Sequence, residues 1–219
     1  MSDGPKDLAT SLGPLPERAL EEAVRWLCRG GIGVFPTETL AGIGGDARRP
    51  EVLTRVATLK GRAEEKRFPL LLPPQMPLAA VAVAGPTAAR LADAFWPGRL
   101  TLVLEAHPST PPAWRALDGT IAVRRSAHPV AAALARGLGG PLVATSANHG
   151  GHEAPSRVAE VAPELLAGVD FTLEDLAEWP ADGAGSTIFM VTRDGGGVVL
   201  RHGAIPESAL RDVLRDAIP

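Results

Sequence analysis

Residues 30–47 read GGIGVFPTETLAGIGGDA. Ile32, Val34 and Phe35 predict a short buried strand. Pro36 ends it, because proline has no N–H to give to a ladder. Thr37, Glu38 and Thr39 then set two hydroxyls and a carboxylate at the strand exit. The glycine-rich run Gly42-Ile43-Gly44-Gly45-Asp46 follows, where backbone can approach a ligand closely. The same features suit a plain structural turn. Upstream, residues 16–29 fit a helix with Leu20, Ala23, Val24 and Leu27 on one face, stopped by Gly30-Gly31. Cys28 lies near that face and reads as a packing residue. Downstream, Pro50 opens a second helix with Val52, Leu53, Val56 and Leu59 as its apolar stripe and Gly61 at its end.

The same alternation runs on. Leu70–Leu72, Leu100–Glu105, Thr120–Arg124 and Leu142–Thr145 read as strands, and residues 87–95, 129–138 and 156–166 as helices. Ser186–Thr192 and Val198–Arg201 flank Asp194-Gly195-Gly196-Gly197, a hairpin signal. A last helix carries Ala209, Leu210, Val213 and Leu214. Interleaved strands and helices with one late hairpin predict an α/β fold, a mixed and largely buried sheet with helices packed on it. Residues 1–14 read as a flexible N-terminal tail and 15–219 as one domain.

Composition narrows the chemistry. The chain has 219 residues, 45% of them apolar and 21% charged, which excludes disorder and allows a real core. Its formal charge of −3 disfavours a nucleic-acid binder driven by bulk charge. A single cysteine excludes a disulfide framework and a cysteine-rich zinc site, and the lack of tyrosine removes that side chain as acid, base or nucleophile. No long apolar run suggests a signal peptide or membrane span, so a soluble cytoplasmic protein is expected. Charge is uneven: residues 48–67 hold seven cations against three anions, and residues 160–182 hold seven acids with no Lys or Arg.

Besides the Thr37–Thr39 cluster, three polar groups sit at ends of predicted elements, where α/β folds place ligands. Lys60-Gly61-Arg62 closes a helix; the cations answer its dipole or clamp phosphate. Arg124, in the apolar strand Thr120–Arg124, needs an anionic partner, either a structural acid or a ligand carboxylate. Thr145-Ser146-Ala147-Asn148 suits phosphate hydrogen bonds or a plain Asx turn. His149 and His152 carry no nearby cysteine and are not expected to bind metal. His107 and His128 precede prolines and read as turn residues. No GxxxxGK[ST] loop, complete GxGxxG fingerprint or GxSxG elbow occurs.

Taken in order, GGIGVFPTETLAGIGGDA (30–47), KGRAEEKRFPLLL (60–72), FWPGRLTLVL (95–104), DGTIAVRRSAHP (118–129), PLVATSAN (141–148), GSTIFMV (185–191) and VVLRHGAI (198–205) resemble the YrdC-like threonylcarbamoyl-AMP synthase family, in its short single-domain form. The resemblance implies a single α/β domain whose twisted mixed sheet curves around a basic cleft. It implies condensation of L-threonine, bicarbonate and ATP, with Mg²⁺, into threonylcarbamoyl-AMP and pyrophosphate. Partner transferase proteins would then carry the threonylcarbamoyl group to the adenosine beside the anticodon of tRNAs that read codons beginning with A. It assigns Lys60 and Arg62 to catalysis, and Lys60, Arg62, Thr120, Ser146, Asn148 and Arg201 to ATP. It assigns Thr39, Arg124 and Ser186 to threonine, Arg124 meeting the carboxylate, with no protein metal ligand.

The sequence departs from the family pattern at Ala41, where an aromatic is common, at Ala63, at Gly185, which precedes Ser186 in place of Glu, and at His202. Ala41 and Gly185 put amino-acid specificity in question. Two other functions stay open: a YrdC-like paralogue that binds nucleotide or RNA (tRNA or double-stranded RNA) through the basic stretch without this activity, and one that carbamoylates another acceptor.

Overall fold

The computed structural model describes residues 6–7, 17–61, 68–174 and 183–215. Eleven strands and six helices alternate along them, as an α/β fold requires. The helices begin where proline fits the first turn: α2 (Pro50–Leu59), α3 (Pro86–Phe95) and α4 (Pro129–Leu138) each carry Pro at their start. Before them, α1 spans Glu17–Cys28 and buries Ala19, Ala23 and Leu27. Those three are spaced four apart, so Cys28 falls off the stripe. It is exposed, not packed as expected.

The expected mixed sheet is divided in two. The five-stranded sheet runs β1 (Lys6–Asp7), β9 (Phe171–Thr172), β2 (Ile32–Phe35), β3 (Gly42–Gly45), β8 (Thr145–Ser146). The six-stranded sheet runs β11 (Gly197–Arg201), β10 (Thr187–Val191), β5 (Leu100–Glu105), β6 (Thr120–Arg124), β4 (Leu70–Leu71), β7 (Leu142–Val143). Both mix parallel and antiparallel pairs: β2 is antiparallel to β3 and parallel to β9, and β5 is antiparallel to β6 and parallel to β10.

Three segments differ from the sequence reading. Gly42–Gly45, expected as a loop, is a strand paired residue for residue with Ile32–Phe35. Glycine has low strand propensity, and the pairing partner overrides it. Lys6 and Asp7, inside the expected tail, pair parallel with Phe171 and Thr172; the rest of residues 1–14 lies outside the described residues. Residues 156–166, expected as one helix, give a 3₁₀ turn at Val158–Glu160 and a single α-turn, α5 (Pro163–Leu166), because Pro163 interrupts the run.

The chain crosses between the sheets at residues 142–146. Leu142 and Val143 pair with β4, whereas Thr145 and Ser146 pair with β3. An Asp46–Leu142 bridge ties the sheets at this crossing. Gly44 makes the approach possible: a Cβ there would lie 1.7 Å from the Val143 carbonyl oxygen, a backbone atom that cannot step aside. Gly44→Ala is therefore expected to cost about 3 kcal/mol or more of stability, read from urea unfolding.

Two apolar clusters follow from the layering. The larger holds Ile43, Val52, Leu91, Leu102, Val123 and Leu210, filling the space between sheets and under α2, α3 and α6 (Glu207–Arg215). The smaller packs α1 on α4 through Leu27 and Leu134 with Phe35 and Phe171. The opening between the sheets, beside the 142–146 crossing, is where the polar groups meet.

Candidate active site

A cavity of about 310 Å³ lies between the sheets, toward the small end of the ligand-pocket range of about 300–1,000 Å³. Its wall includes Thr39, Arg124, Ser146, Ser186 and Arg201, so five residues expected at the site converge from distant parts of the chain. Arg124 and Arg201 are the charged side chains among the described lining residues, and no carboxylate is among them. That wall favours an anionic ligand.

At one end stands Arg124, delivered by the last residue of β6. Its Nη1 donates to Glu38 Oε1 at 2.7 Å and approaches Thr39 Oγ1 at 3.4 Å. Both partners of the ion pair are buried. The anionic partner that the lone strand arginine demanded is thus an internal one, Glu38. The second oxygen of Glu38 accepts from the Ser126 hydroxyl, and its backbone carbonyl accepts from Arg99 Nε at 2.8 Å. Burial lowers the Arg124 pKa, an effect Glu38 opposes and Arg99 reinforces. A guanidinium stays charged at neutral pH even so. Thr37 supports this end: its Oγ1 donates to the Leu40 carbonyl at 2.7 Å and lies 3.0 Å from Thr39 Oγ1.

Ser186 enters from the segment before β10. Its Oγ lies 2.8 Å from Thr101 Oγ1, a buried hydroxyl of β5 that also lines the cavity. Arg201, at the end of β11, donates Nε and Nη2 to the Ser186 carbonyl (3.1 and 2.8 Å) and Nη2 to Ser186 Oγ (3.0 Å).

The Ser146–Asn148 turn forms another edge. Lys60, the C-cap of α2, is 2% exposed, and its ammonium sits beneath this turn. It donates to the carbonyls of Ser146 and Asn148 (2.6 Å for the latter) and to Asn148 Oδ1 (3.3 Å). The Lys60 carbonyl accepts from Gly150 N at 2.9 Å. Ser146 Oγ donates to Asn148 Oδ1 at 2.6 Å, and Asn148 Nδ2 donates to the carbonyls of His149 and His152. Lys60, Ser146 and Asn148 are thus gathered as expected. Lys60 and the Asn148 amide hold the turn, while Ser146 faces the cavity.

Lys60 and Asn148 do not themselves line this cavity, Asn148 bordering a second one, and two further assignments fall elsewhere. Thr120 shares a strand face with Ala122 and Arg124, yet only the latter two line the cavity. Its hydroxyl donates to Asp118 Oδ1 at 2.7 Å, which holds that carboxyl below its usual range. Arg62 lies outside the described residues. The basic stretch does not form one open patch among its described members. Arg48 is bidentate to Asp46, Arg49 meets Glu51, and Arg55 meets Asp170, an acid of the negative segment. His128 caps α4 and accepts from Val130 N. His149 and His152 border a second cavity of about 320 Å³, and among the described residues no group of His, Cys, Asp and Glu could hold a metal.

Thr37 and Glu38 stood in the first polar cluster read from the sequence but without an assigned role, whereas Thr101 and Arg99 were not among the expected site residues. Thr101 had a signal: a lone hydroxyl within the apolar strand LTLVLE, where burial demands a partner. Glu38 stood in the quoted cluster, but its pairing with a residue far along the chain had none.

An anion-favouring cavity set where two mixed sheets meet, walled by hydroxyls and two arginines, defines a small-molecule-binding α/β protein. A family model described as Telomere recombination (Sua5/YciO/YrdC) matches residues 25–203, and the chain belongs to this family. It is 35% identical over 160 residues to the threonylcarbamoyl-AMP synthase of Nitrosococcus oceani, covering 72% of this chain and 86% of the relative. It is 39% identical over 150 residues to that of Halorhodospira halophila, covering 68% and 78%. The crystal structure of P. abyssi Sua5 complexed with L-threonine superposes with a TM-score of 0.82 at 29% identity, over 92% of this chain. This chain spans only 59% of that longer protein.

Proposed function

We propose that this protein is an L-threonylcarbamoyladenylate synthase. The observation that carries the reading is a cavity whose wall runs from the Arg124–Thr39–Ser186 end to Ser146, on the turn braced by Lys60. The synthase names of its relatives and the threonine bound by P. abyssi Sua5 support it.

The chemistry follows from charge. The threonine amine and bicarbonate give a carbamate and water. A carbamate oxygen then attacks the α-phosphorus of ATP, and the bond from that phosphorus to the pyrophosphate oxygen breaks. Carbamate and triphosphate repel one another, so cations must offset the approach and the charge on departing pyrophosphate. Arg124 takes the threonine carboxylate, with Thr39 and Ser186 beside it. Ser146, the turn braced by Lys60 and Asn148, and Arg62 take the triphosphate. Thr120 is assigned to the nucleotide where it extends beyond the cavity. No side chain forms a covalent bond, and catalysis is positioning plus electrostatics. Because an adenylyl group moves, the enzyme is a nucleotidyltransferase. Mg²⁺ would come with the triphosphate: hydroxyls and no carboxylate are among the described lining residues, so the metal would be held by triphosphate and water rather than by a protein cage, and would offset charge on the departing pyrophosphate.

On this reading the product goes to transferase proteins that modify tRNA adenosine, and the enzyme works in the cytoplasm beside them. No described helix is long and apolar enough to cross a membrane. The pairing of Arg48, Arg49 and Arg55 with acids disfavours an RNA-holding role for the basic stretch. Pyrophosphate release that needs both threonine and bicarbonate tests the proposal. Release independent of threonine contradicts it.

A further inference from the structure

One hydroxyl stands inside an apolar strand. In β5, LTLVLE, Leu100, Leu102 and Leu104 belong to the larger core, so Thr101 and Val103 take the opposite face, on the cavity wall. Thr101 is 1% exposed, and a hydroxyl buried so deeply needs a partner. That partner is the Ser186 hydroxyl, 2.8 Å away and also on the wall. On the synthase reading Ser186 has a part in threonine binding, and Thr101 has none.

A count of protons sets this pair apart from three other hydroxyls of the wall. Thr37 gives its proton to the Leu40 carbonyl, and Ser146 gives its own to Asn148 Oδ1. Thr39 Oγ1 lies against Arg124 Nη1, which can only donate, and against Thr37 Oγ1, whose proton is committed, so Thr39 donates to Thr37. Those three protons stay within the protein. Thr101 and Ser186 hold two protons between them, and their mutual bond uses one. Arg201 Nη2 donates to Ser186 Oγ, which takes up a lone pair and no proton. The pair is left with one proton to give and two lone pairs to fill. A carboxylate would take the proton and leave the lone pairs unmet. A hydroxyl, which both gives and takes, satisfies both needs.

The register says which hydroxyl. β5 and β6 are antiparallel, with Val103 opposite Ala122 and Leu102 opposite Val123. The same register carried one residue on sets Thr101 beside Arg124, and both line the cavity. Side chains directly opposite on one sheet face are neighbours. Threonine carries its carboxylate and its hydroxyl on adjacent carbons. Arg124 holding the carboxylate therefore brings the hydroxyl to the neighbouring Thr101–Ser186 pair. Val103 and Ala122, opposite one another on the same face, offer an apolar wall to the methyl group.

We propose that Thr101 is a specificity-determining residue, which with Ser186 reads the side-chain hydroxyl of the amino acid. The three hydroxyls close a ring in which each donates to the next, so none is left unpaired in the buried wall. The proposal rests on the synthase reading and deepens it, by naming what in the cavity selects the side chain.

L-2-Aminobutyrate, which is threonine without its hydroxyl, tests the proposal. Adenylate formation is run with MgATP, bicarbonate and a mixture of threonine and a hundredfold excess of 2-aminobutyrate, and both products are measured by mass spectrometry. The wild-type protein is expected to prefer threonine by at least about a hundredfold, because a site built for a hydroxyl rejects the analogue that lacks it. Thr101→Val keeps the shape of the side chain and loses the hydroxyl. It is expected to reduce that preference about tenfold and to raise the threonine KM about tenfold, with the ATP KM within about twofold. Thr101→Ser, which restores the hydroxyl, is expected to keep the preference within about threefold of wild type. General damage to the fold would lower both products alike and leave their ratio unchanged. A preference that Thr101→Val does not relax, or that Thr101→Ser relaxes equally, overturns the proposal. Should Thr101→Val lose its fold by circular dichroism, Thr101→Ala decides by the same ratio. If the wild-type protein makes no adenylate from either amino acid, the synthase reading falls first and this proposal with it; if it does and the ratio does not move, only this proposal falls.

Discussion

Arg124→Lys is expected to lower kcat/KM for L-threonine by about a hundredfold, the scale on which buried, hydrogen-bonded charge pairs act when one partner is altered. Lysine keeps a positive charge for Glu38, so the buried carboxylate is not left unpaired and the fold survives. What is lost is the planar fork that serves Glu38 through Nη1 and keeps further donors for a second carboxylate. Arg124→Ala tests a different quantity. It strands Glu38, 5% exposed, without its cation, and is expected to cost about 3–5 kcal/mol of stability. The two variants together separate binding from folding. Threonine titrations by calorimetry, alongside urea unfolding, measure both. Wild-type threonine affinity in Arg124→Lys would remove Arg124 from the amino-acid site.

Lys60→Met is the second large effect. Methionine fills a similar volume but offers no donor. The carbonyls of Ser146 and Asn148 and the Asn148 amide oxygen then lose a common partner. Unsatisfied buried acceptors cost about 1–3 kcal/mol each unless the turn moves to find water. The turn is therefore expected to shift, and kcat/KM for ATP to fall by about a hundredfold. Threonine affinity measured without ATP is expected to change by less than about threefold, because the Arg124–Glu38 pair is built from other elements. Lys60→Arg is not expected to rescue, since a guanidinium is too large for a site 2% exposed. Parallel losses of ATP and threonine binding would show general collapse and count against a specific bracing role.

These residues also show what the sequence could tell. The helices were legible because proline starts and spaced apolar residues state them locally, as at Pro50 and Pro129. The site segments were legible because hydroxyls and cations stood at predicted strand and helix ends. The division into two sheets was not. It depends on one crossing at residues 142–146 and on Gly44 admitting the Val143 carbonyl, and neither is written in a local period. Gly42–Gly45 was a strand disguised by glycine, its identity supplied by the partner β2. For the same reason Glu38 and Arg124 were read separately. A composition-level charge of −3 misdirects, and the basic stretch at 48–67 is no single patch: Arg48, Arg49 and Arg55 are paired with acids, Lys60 braces the Ser146–Asn148 turn, and among the described residues the cations on the cavity wall are the distant Arg124 and Arg201.

On the proposed reading, one cavity brings an amino-acid carbamate to the α-phosphate of ATP. Mass spectrometry of reactions holding the purified protein, MgATP and bicarbonate, with L-threonine, with L-serine or with no amino acid, tests it most directly. Threonylcarbamoyl-AMP is expected with threonine, and no adenylate without an amino acid. The serine reaction reads whether Ala41, which lines the cavity, and Gly185 relax the choice of side chain. No threonine-dependent adenylate under these conditions would contradict the account.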